Sequence, residues 1–174
     1  PLTEMINGPD MLPMPPMINL EHNFRIRSIY GDANTFTFYM QARTMDSTTS
    51  APFTFKGNQT TLMKLPISTV SYIKVSVLGS IVTGTNTGKV GYFEADTVIA
   101  NRNEPNLYIG AAGGTLLKSD KDTAFTTPTF NLTNCISKKW APEIVSNADE
   151  ITNWTAKVEI IRQVLGDGES VPIR

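Results

Sequence analysis

Hydrophobic and polar residues alternate with a period of two along most of the chain after residue 22. The run "ITNWTAKVEIIRQV", residues 151–164, is representative. One side of the extended chain carries Trp154, Ala156, Val158 and Ile160. Such alternation is typical of a β-strand that buries one face. It predicts a final strand in which Trp154 seals one end of the core.

The clearest local pattern is a hairpin over residues 23–43. "NFRIRSIY" and "TFTFYMQAR" both alternate, and "GDAN", residues 31–34, separates them. Two alternating runs joined by a short turn of Gly, Asp and Asn are typical of a β-hairpin. The second run predicts one apolar face made of Phe36, Phe38, Met40 and Ala42.

The rest of the chain repeats this rhythm, with turn residues about every eight to twelve positions. "STVSYIKVSVLGSIV" directs Ile73, Val75 and Val77 inward, and "GTNTGK" follows as a turn. No apolar period of 3.6 residues persists over three helical turns. The pattern predicts an all-β fold: an antiparallel β-sandwich or jelly-roll-like domain over residues 23–174.

Residues 1–22 have a different composition. "NGPDMLPMPPMINLEH" contains four prolines and three methionines. Proline removes backbone donors and fixes φ, which excludes a helix or a central strand. The segment predicts an extended N-terminal arm, and a disordered leader is the alternative. A docked arm would bury its apolar side chains against this subunit or a neighbouring copy: Met11, Leu12, Met14, Met17 and Ile18.

The charge, the hydrophobicity and the cysteine content exclude several classes of partner and of site. The net charge is −1, and no run of Lys or Arg creates a local positive field, so we expect no nucleic-acid partner. No apolar stretch approaches the ~20 residues that span a bilayer, so we expect no membrane insertion. Cys135 is the only cysteine, which excludes an internal disulfide and cysteine-based zinc sites.

Catalytic chemistry has little support in the sequence. His22 is the only histidine, and it lies at the junction of arm and first strand. Three carboxylate pairs fall in turn-like stretches: Asp120/Asp122, Asp149/Glu150 and Asp167/Glu169. Acid–base catalysis would need one member of a pair to be desolvated. We therefore predict a protein that is not an enzyme and that uses no cofactor or metal.

Aromatic side chains offer a second kind of function. Tyr39 and Tyr72 fall on the polar faces of their strands, and Trp140 follows two lysines, which predicts an exposed rim. These three could stack on a sugar ring. Tyr92 and Trp154 alternate with apolar neighbours and are assigned to the core. A carbohydrate-binding module or adhesin is therefore the alternative function, with a glycan of the host surface as its ligand.

The order of strands and turns over residues 68–165 resembles a small β-domain of tailed-bacteriophage virion proteins, such as tail fibres, spikes and capsid appendages. The segments that carry the resemblance are "VSYIKVSVLGSIVTGTNTGKVGYFEADTVIANR", "LYIGAAGGTLLKSD", "TPTFNLTN" and "NWTAKVEIIRQV". It implies a non-catalytic sandwich located on the virion. It also implies assembly with copies of itself, often as a trimer, and contact with other virion proteins.

Overall fold

A computed structural model describes residues 23–26, 33–55, 63–102, 104–111 and 113–165. Within these ranges the regular elements are all β-strands. One antiparallel sheet holds seven of them: β1 (Asn23–Ile26), β2 (Ala33–Thr44), β5 (Thr69–Ile81), β6 (Val90–Asn101), β7 (Tyr108–Ile109), β8 (Thr115–Lys121) and β13 (Thr152–Val164). We call this the main sheet.

Two small antiparallel sheets form the second layer. The first contains β3 (Ala51–Pro52), β12 (Glu143–Val145) and β9 (Thr129–Asn131), in that order. The second contains β10 (Cys135–Ile136), β11 (Lys139–Trp140) and β4 (Met63–Lys64). Side chains from both small sheets join those of the main sheet in one hydrophobic core. The predicted all-β, antiparallel, sandwich-like fold is therefore confirmed.

The strand order of the main sheet is β1-β2-β13-β5-β6-β7, with β8 also paired to β6. The last strand of the described residues, β13, thus lies between β2 and β5. It pairs with β2 from Thr152↔Thr44 to Gln163↔Ala33, without a register shift. It pairs with β5 from Thr152↔Ile81 to Val164↔Thr69. Strand β13 consequently lies in the middle of the main sheet.

The inner face of the main sheet supplies most of the core. Its apolar positions follow the period of two that the sequence shows: Phe38, Met40, Ile73, Val75, Val77, Phe93, Ala95, Trp154, Ala156, Val158 and Ile160 are all buried. The second layer covers them with Phe53, Phe130, Leu132, Trp140 and Ile144. Full burial of a large apolar side chain contributes roughly 1.5–3 kcal/mol, so this double layer is the main source of stability.

Trp154 closes one end of the core, as its position in the alternating run predicts. Its ring packs edge-on against Phe125, with centroids 5.6 Å apart, and lies 6.3 Å from Phe93. The buried indole Nε1–H donates to Thr44 Oγ1 at 2.9 Å. Directly opposite on β5 is Gly79. The absence of a side chain there makes room for the indole.

The predicted arm and the ends of the proposed domain fall outside the described residues. Residues 1–22, with the candidate interface positions Met11, Leu12, Met14, Met17 and Ile18, are not described, and neither are residues 166–174. The division into an arm (1–22) and one domain (23–174) therefore stays a prediction. The two N-terminal alternating runs do meet: β1 pairs with β2 from Asn23↔Phe36 to Ile26↔Ala33.

A methyl group at Gly79 should destabilise the fold. A Cβ built there would overlap the Trp154 ring and approach Phe125 Cζ at 2.8 Å. Because both neighbours are buried ring atoms, we expect Gly79→Ala to lower the free energy of unfolding by about 1–3 kcal/mol in urea titrations. Gly110→Ala is the matched control, since its nearest neighbour would be Val98 O at 3.4 Å. Equal stability of the two variants would contradict this packing argument.

Candidate functional surface

The side of the main sheet that faces away from the core, here called the outer face, carries the polar half of each strand. Paired residues form rows across the strands β2, β13, β5, β6 and β8. One row reads Tyr39, Lys157, Ser76, Glu94 and Lys118. The flanking rows read Thr37-Glu159-Lys74-Asp96-Thr115 and Gln41-Thr155-Leu78-Tyr92-Asp120. Charges of opposite sign therefore alternate across neighbouring rows.

Glu94 lies at the centre of a polar network on the outer face. Lys74 Nζ is 3.0 Å from Glu94 Oε2, and the Tyr92 hydroxyl donates to Glu94 Oε1 at 2.6 Å. Lys118 places its ammonium group 5.3 Å from the centroid of the Tyr92 ring. Lys157 and Glu159 form a second ion pair at 3.5 Å. The network is mutually compensating, so the face carries charge without a strong net field.

These contacts shift the pKa values of the groups in the expected directions. The hydrogen bond from Tyr92, followed by that from Lys74, lowers the pKa of Glu94. The hydrogen bond to Glu94 raises the pKa of Lys74. Both groups are therefore charged at neutral pH. Burial raises the pKa of Tyr72, and the hydrogen bond that its hydroxyl donates to Asp96 Oδ2 at 3.0 Å raises it further. The hydroxyl therefore stays protonated at neutral pH.

A shallow groove of about 450 Å³ runs over this network. The aromatic and aliphatic part of its lining comes from Tyr92 and from Tyr39 and Leu78, of which the last two are 41% and 55% exposed. A second depression of about 510 Å³ shares Thr155 with it and is lined by Gln41, Arg43, Ser80 and Asn153, among others. Arg43 Nε donates to Asn153 Oδ1 at 2.7 Å. The outer face thus offers an exposed ring beside amide, hydroxyl and charged groups.

The structure places two of the three predicted glycan contacts on this face. Tyr39 lines the groove, and Tyr72 lies on the same face of β5. Strand β13 lies between the strands that carry them, and Tyr72 is two rows away from the row of Tyr39. With strands ~4.8 Å apart and ~3.4 Å per residue, their Cα atoms are roughly 17 Å apart. They do not form one stacking platform.

Trp140 does not lie on an exposed rim, so this prediction is wrong. It is fully buried, and its Nε1–H donates to Leu132 O at 2.7 Å. The two preceding lysines suggest exposure, but adjacent strand residues point to opposite faces. Lys139 therefore faces solvent while Trp140 faces the core. Trp140 is a structural residue and cannot contact a glycan.

Tyr92 is corrected in the opposite direction. Its apolar neighbours in the sequence predict a core position, but its hydroxyl reaches Glu94 on the outer face. The neighbouring aromatic Phe93 is the buried one. Only one of two consecutive strand residues can point inward, and the period set by Ala95 and Thr97 selects Phe93. That period was the signal available in the sequence.

Of the carboxylates considered for catalysis, Asp120 lies in strand β8 rather than in a turn, whereas Asp122, Asp149 and Glu150 organise turns. Asp149 Oδ1 accepts the Ser47 N–H at 3.0 Å, Glu150 Oε1 accepts the Asn86 N–H at 2.8 Å, and Asp122 Oδ2 accepts the Val90 N–H at 2.9 Å. Asp46 does the same for the N–H groups of Thr49 and Thr48, which lower its pKa to about 2. Each carboxylate therefore holds a loop in place. Asp167, Glu169 and His22 lie outside the described residues.

The described residues also show the state of the cysteine thiol and whether side chains converge on a metal. Burial raises the pKa of Cys135 to about 11, so its thiol is protonated at neutral pH and is a poor nucleophile. Among the described side chains, no three His, Cys, Asp or Glu residues converge as metal ligands would. The same part of the chain contains no helix long and apolar enough to cross a membrane.

Comparison with known proteins gives only distant structural similarity. No protein-family model matches the chain, and no curated protein sequence matches it. A tailspike protein, gp49 of Acinetobacter baumannii bacteriophage Fri1, described as a capsular polysaccharide depolymerase, is similar at 13% identity with a TM-score of 0.43. The similarity covers 94% of this chain and 21% of that one.

The tailspike protein of Acinetobacter baumannii phage AM24 is similar at 11% identity with a TM-score of 0.41, over 77% of this chain and 27% of that one. The chain thus spans between a fifth and a third of the length of either tailspike. Similarity at this level establishes neither a family nor a function for the chain.

The ion pair at Glu94 predicts a specific pH dependence. Because the folded pKa lies below the ordinary value of 4.5, its contribution to stability is present above pH 4.5 and is lost as the pH falls through the folded pKa. Glu94→Gln should be less stable than the wild type at pH 7, and this difference should shrink below pH 4.5. Thermal melts across pH 3–7 measure it.

Glu104→Gln is the control for this series, since it removes an exposed carboxylate. It should leave the pH profile of the wild type nearly unchanged. A Glu94→Gln profile parallel to that of the wild type would show that the network does not stabilise the fold.

Proposed function

We propose that the chain is a non-enzymatic structural protein of a tailed-bacteriophage virion, as a fibre, spike or capsid-decorating component. It assembles with copies of itself, as a trimer, and with other virion proteins. Support comes from the sequence resemblance over residues 68–165. The three long strands inside that range, β5, β6 and β13, lie side by side at the centre of the main sheet.

The observation that carries the proposal is the continuity of this sheet. Strands β2, β13, β5 and β6 each have 12 or 13 residues. Their three pairings run residue by residue without a shift. A slab of this kind deforms little under load, because sliding any strand by one residue would turn its apolar side chains to solvent. Such rigidity suits a component of a particle better than it suits a protein that must close around a substrate.

Self-assembly is assigned to the N-terminal arm, residues 1–22. Its methionines, with Leu12 and Ile18, are apolar side chains on a proline-rich segment that cannot hide them in a helix. Insertion into a groove of an adjoining subunit would bury them, and flexible methionines adapt to irregular grooves. In a closed symmetric ring each subunit would both give and receive an arm.

Charged substitutions in the arm should therefore abolish the assembly that the arm mediates. We expect Met14→Asp/Met17→Asp in the full chain to reduce the particle mass in light scattering well below that of the wild type, because an unpaired buried charge is strongly unfavourable. The control is Met45→Asp/Ile67→Asp, which changes two residues that are 59% and 58% exposed in the described domain. An arm variant with the mass of the wild type would refute the proposed role of the arm.

A carbohydrate-binding role is the second candidate, and one observation favours it. Tyr39 exposes its ring at the groove beside two ion pairs and several hydroxyl and amide groups. Sugars are bound by such combinations of an aromatic face and polar groups. The site would now consist of Tyr39 and its groove, with Tyr72 more distant and Trp140 removed from it.

A glycan array tests this second candidate. If a glycan binds, Tyr39→Ala should weaken binding by about tenfold, the effect of losing one aromatic stacking contact. Tyr108→Ala is the matched control, because Tyr108 is 50% exposed but lies on the short strand β7, away from the groove. Absence of binding to any glycan on the array would end this hypothesis.

A further inference from the structure

The two edges of the main sheet differ in how they are covered. At one edge β1 pairs with the first part of β2. Further along β2, Gln41 exchanges two backbone hydrogen bonds with Thr54, of 2.7 and 2.8 Å, which caps that edge. At the other edge β8 pairs with β6, and the described part of the chain places no strand beyond it. An uncovered edge strand offers unpaired N–H and C=O groups to another chain.

Strand β8 is long and exposed for an edge. All seven of its side chains, including Leu116 (46%) and Leu117 (48%), are exposed. Its register with β6 shifts between Glu94 and Ala95, so that Leu117 is left without a partner on β6. From Lys118 to Lys121 the pairing is regular. This regular part, which we call the open edge, is where a further strand could add.

Both ends of β8 are held in place. On the N-terminal side, Gly113 donates to Thr133 Oγ1 at 3.1 Å, and its carbonyl accepts the Leu132 N–H at 3.1 Å. On the C-terminal side, Lys121 Nζ donates to Phe125 O at 2.6 Å. The open edge is therefore ordered before any partner arrives, which lowers the entropic cost of adding a strand.

One hydrogen bond shows which residues of the open edge direct their backbone groups towards β6 and which direct them outwards. We call this alternation the backbone phase. The Asp122 N–H donates to Val90 O at 3.0 Å. In an antiparallel pair, successive residues direct their backbone groups alternately towards that neighbour and away from it. Asp120 and Lys118, two and four residues before Asp122, therefore also bond to β6. Ser119 and Lys121 alternate with them and direct their N–H and C=O groups outwards.

Charge then selects one register for pairing two copies. A two-fold register centred on Lys118, on Asp120 or on Lys121 places that charged residue opposite itself. Centring on Ser119 places Lys118 of each copy opposite Asp120 of the other, twice. It also makes Ser119–Ser119 the hydrogen-bonded pair on the axis, in agreement with the backbone phase. Lys118 and Asp120 then form the closer, non-hydrogen-bonded pairs, where side chains interact most strongly.

We infer that β8 is a self-association site: the open edges of two copies pair antiparallel about a two-fold axis at Ser119. The partner is a second copy of this chain, because its own charges complement each other in this register. Such an interface is isologous, since the same strand is used on both sides. The inference does not rest on the proposed function, and the arm takes no part in it.

Cross-linking with isotope-labelled chains tests the register directly. Full-length protein made in ¹⁴N and in ¹⁵N medium is mixed, dissociated by dilution and reassembled, then treated with a carbodiimide that joins an amine to a carboxylate with loss of water. We expect peptides in which Lys118 of one isotope is linked to Asp120 of the other. Links of a single isotope only, or the absence of a mixed link between Lys118 and Asp120, would overturn the inference.

Charge exchange provides the second test, by sedimentation equilibrium on the full chain. The Lys118→Asp variant places a negative charge opposite Asp120 of the other copy in both symmetric pairs. The dissociation constant of its dimer should therefore rise at least about tenfold. The double variant Lys118→Asp/Asp120→Lys should restore the affinity of the wild type. Ser119→Pro should abolish pairing yet leave the fold intact, because its N–H is not bonded to β6 and proline is tolerated at such edge positions.

Thermal melts of each variant verify that the domain is folded. A wild type that stays monomeric at every concentration would overturn the inference and assign the open edge to a different protein. So would a dimer that Ser119→Pro leaves unchanged. If the arm substitutions leave the particle mass unchanged, by contrast, the expected results of the cross-linking and charge-exchange experiments stay the same. The two proposals can therefore fail separately.

Discussion

The structure depends on one constraint: four long strands must present their apolar residues in the same rows. Strand β13 enforces this constraint, because it pairs with β2 on one side and β5 on the other over almost its whole length. Sliding it by one residue would expose Trp154, Ala156, Val158 and Ile160 together. The second layer and both faces of the sheet take their positions from these rows.

The two faces of the main sheet use the same rows for different purposes. The inner rows bury aliphatic and aromatic side chains under the two small sheets. The outer rows alternate acidic, basic and hydroxyl groups, which satisfy each other at Glu94 and Tyr92. Because that network is internally compensated, we expect a partner to contact the exposed Tyr39 ring or the outward backbone groups of β8.

Much of the fold can be predicted from the sequence, since period-two alternation over a dozen residues has one common explanation. The inward positions of Ile73, Val75 and Val77 are confirmed on this basis. Short strands are harder. Trp140 lies on a two-residue strand, where two residues cannot establish a period, and the lysines beside it gave the wrong face. The position of β13 between β2 and β5 depends on long-range pairing, which local patterns do not encode.

The candidate surface could be predicted only in part. Tyr39 and Tyr72 occur at outward positions of well-defined strands, so their face followed from the alternation. Their separation did not, because it depends on the strand that comes between them. The open edge of β8 is likewise a property of the sheet order and of what covers each edge, and no residue of "TLLKSDK" signals it alone.

The central position of β13 has a consequence for biosynthesis. A nascent chain that has emerged only to residue 150 contains β2 and β5 but lacks the strand that joins them. Until residues 152–164 leave the ribosome, each half of the sheet has a bare inner edge, and unpaired edges of this kind promote aggregation. The main sheet is therefore completed only after all its other described strands have been synthesised. Chains stalled before Thr152 should be clients of chaperones and proteases.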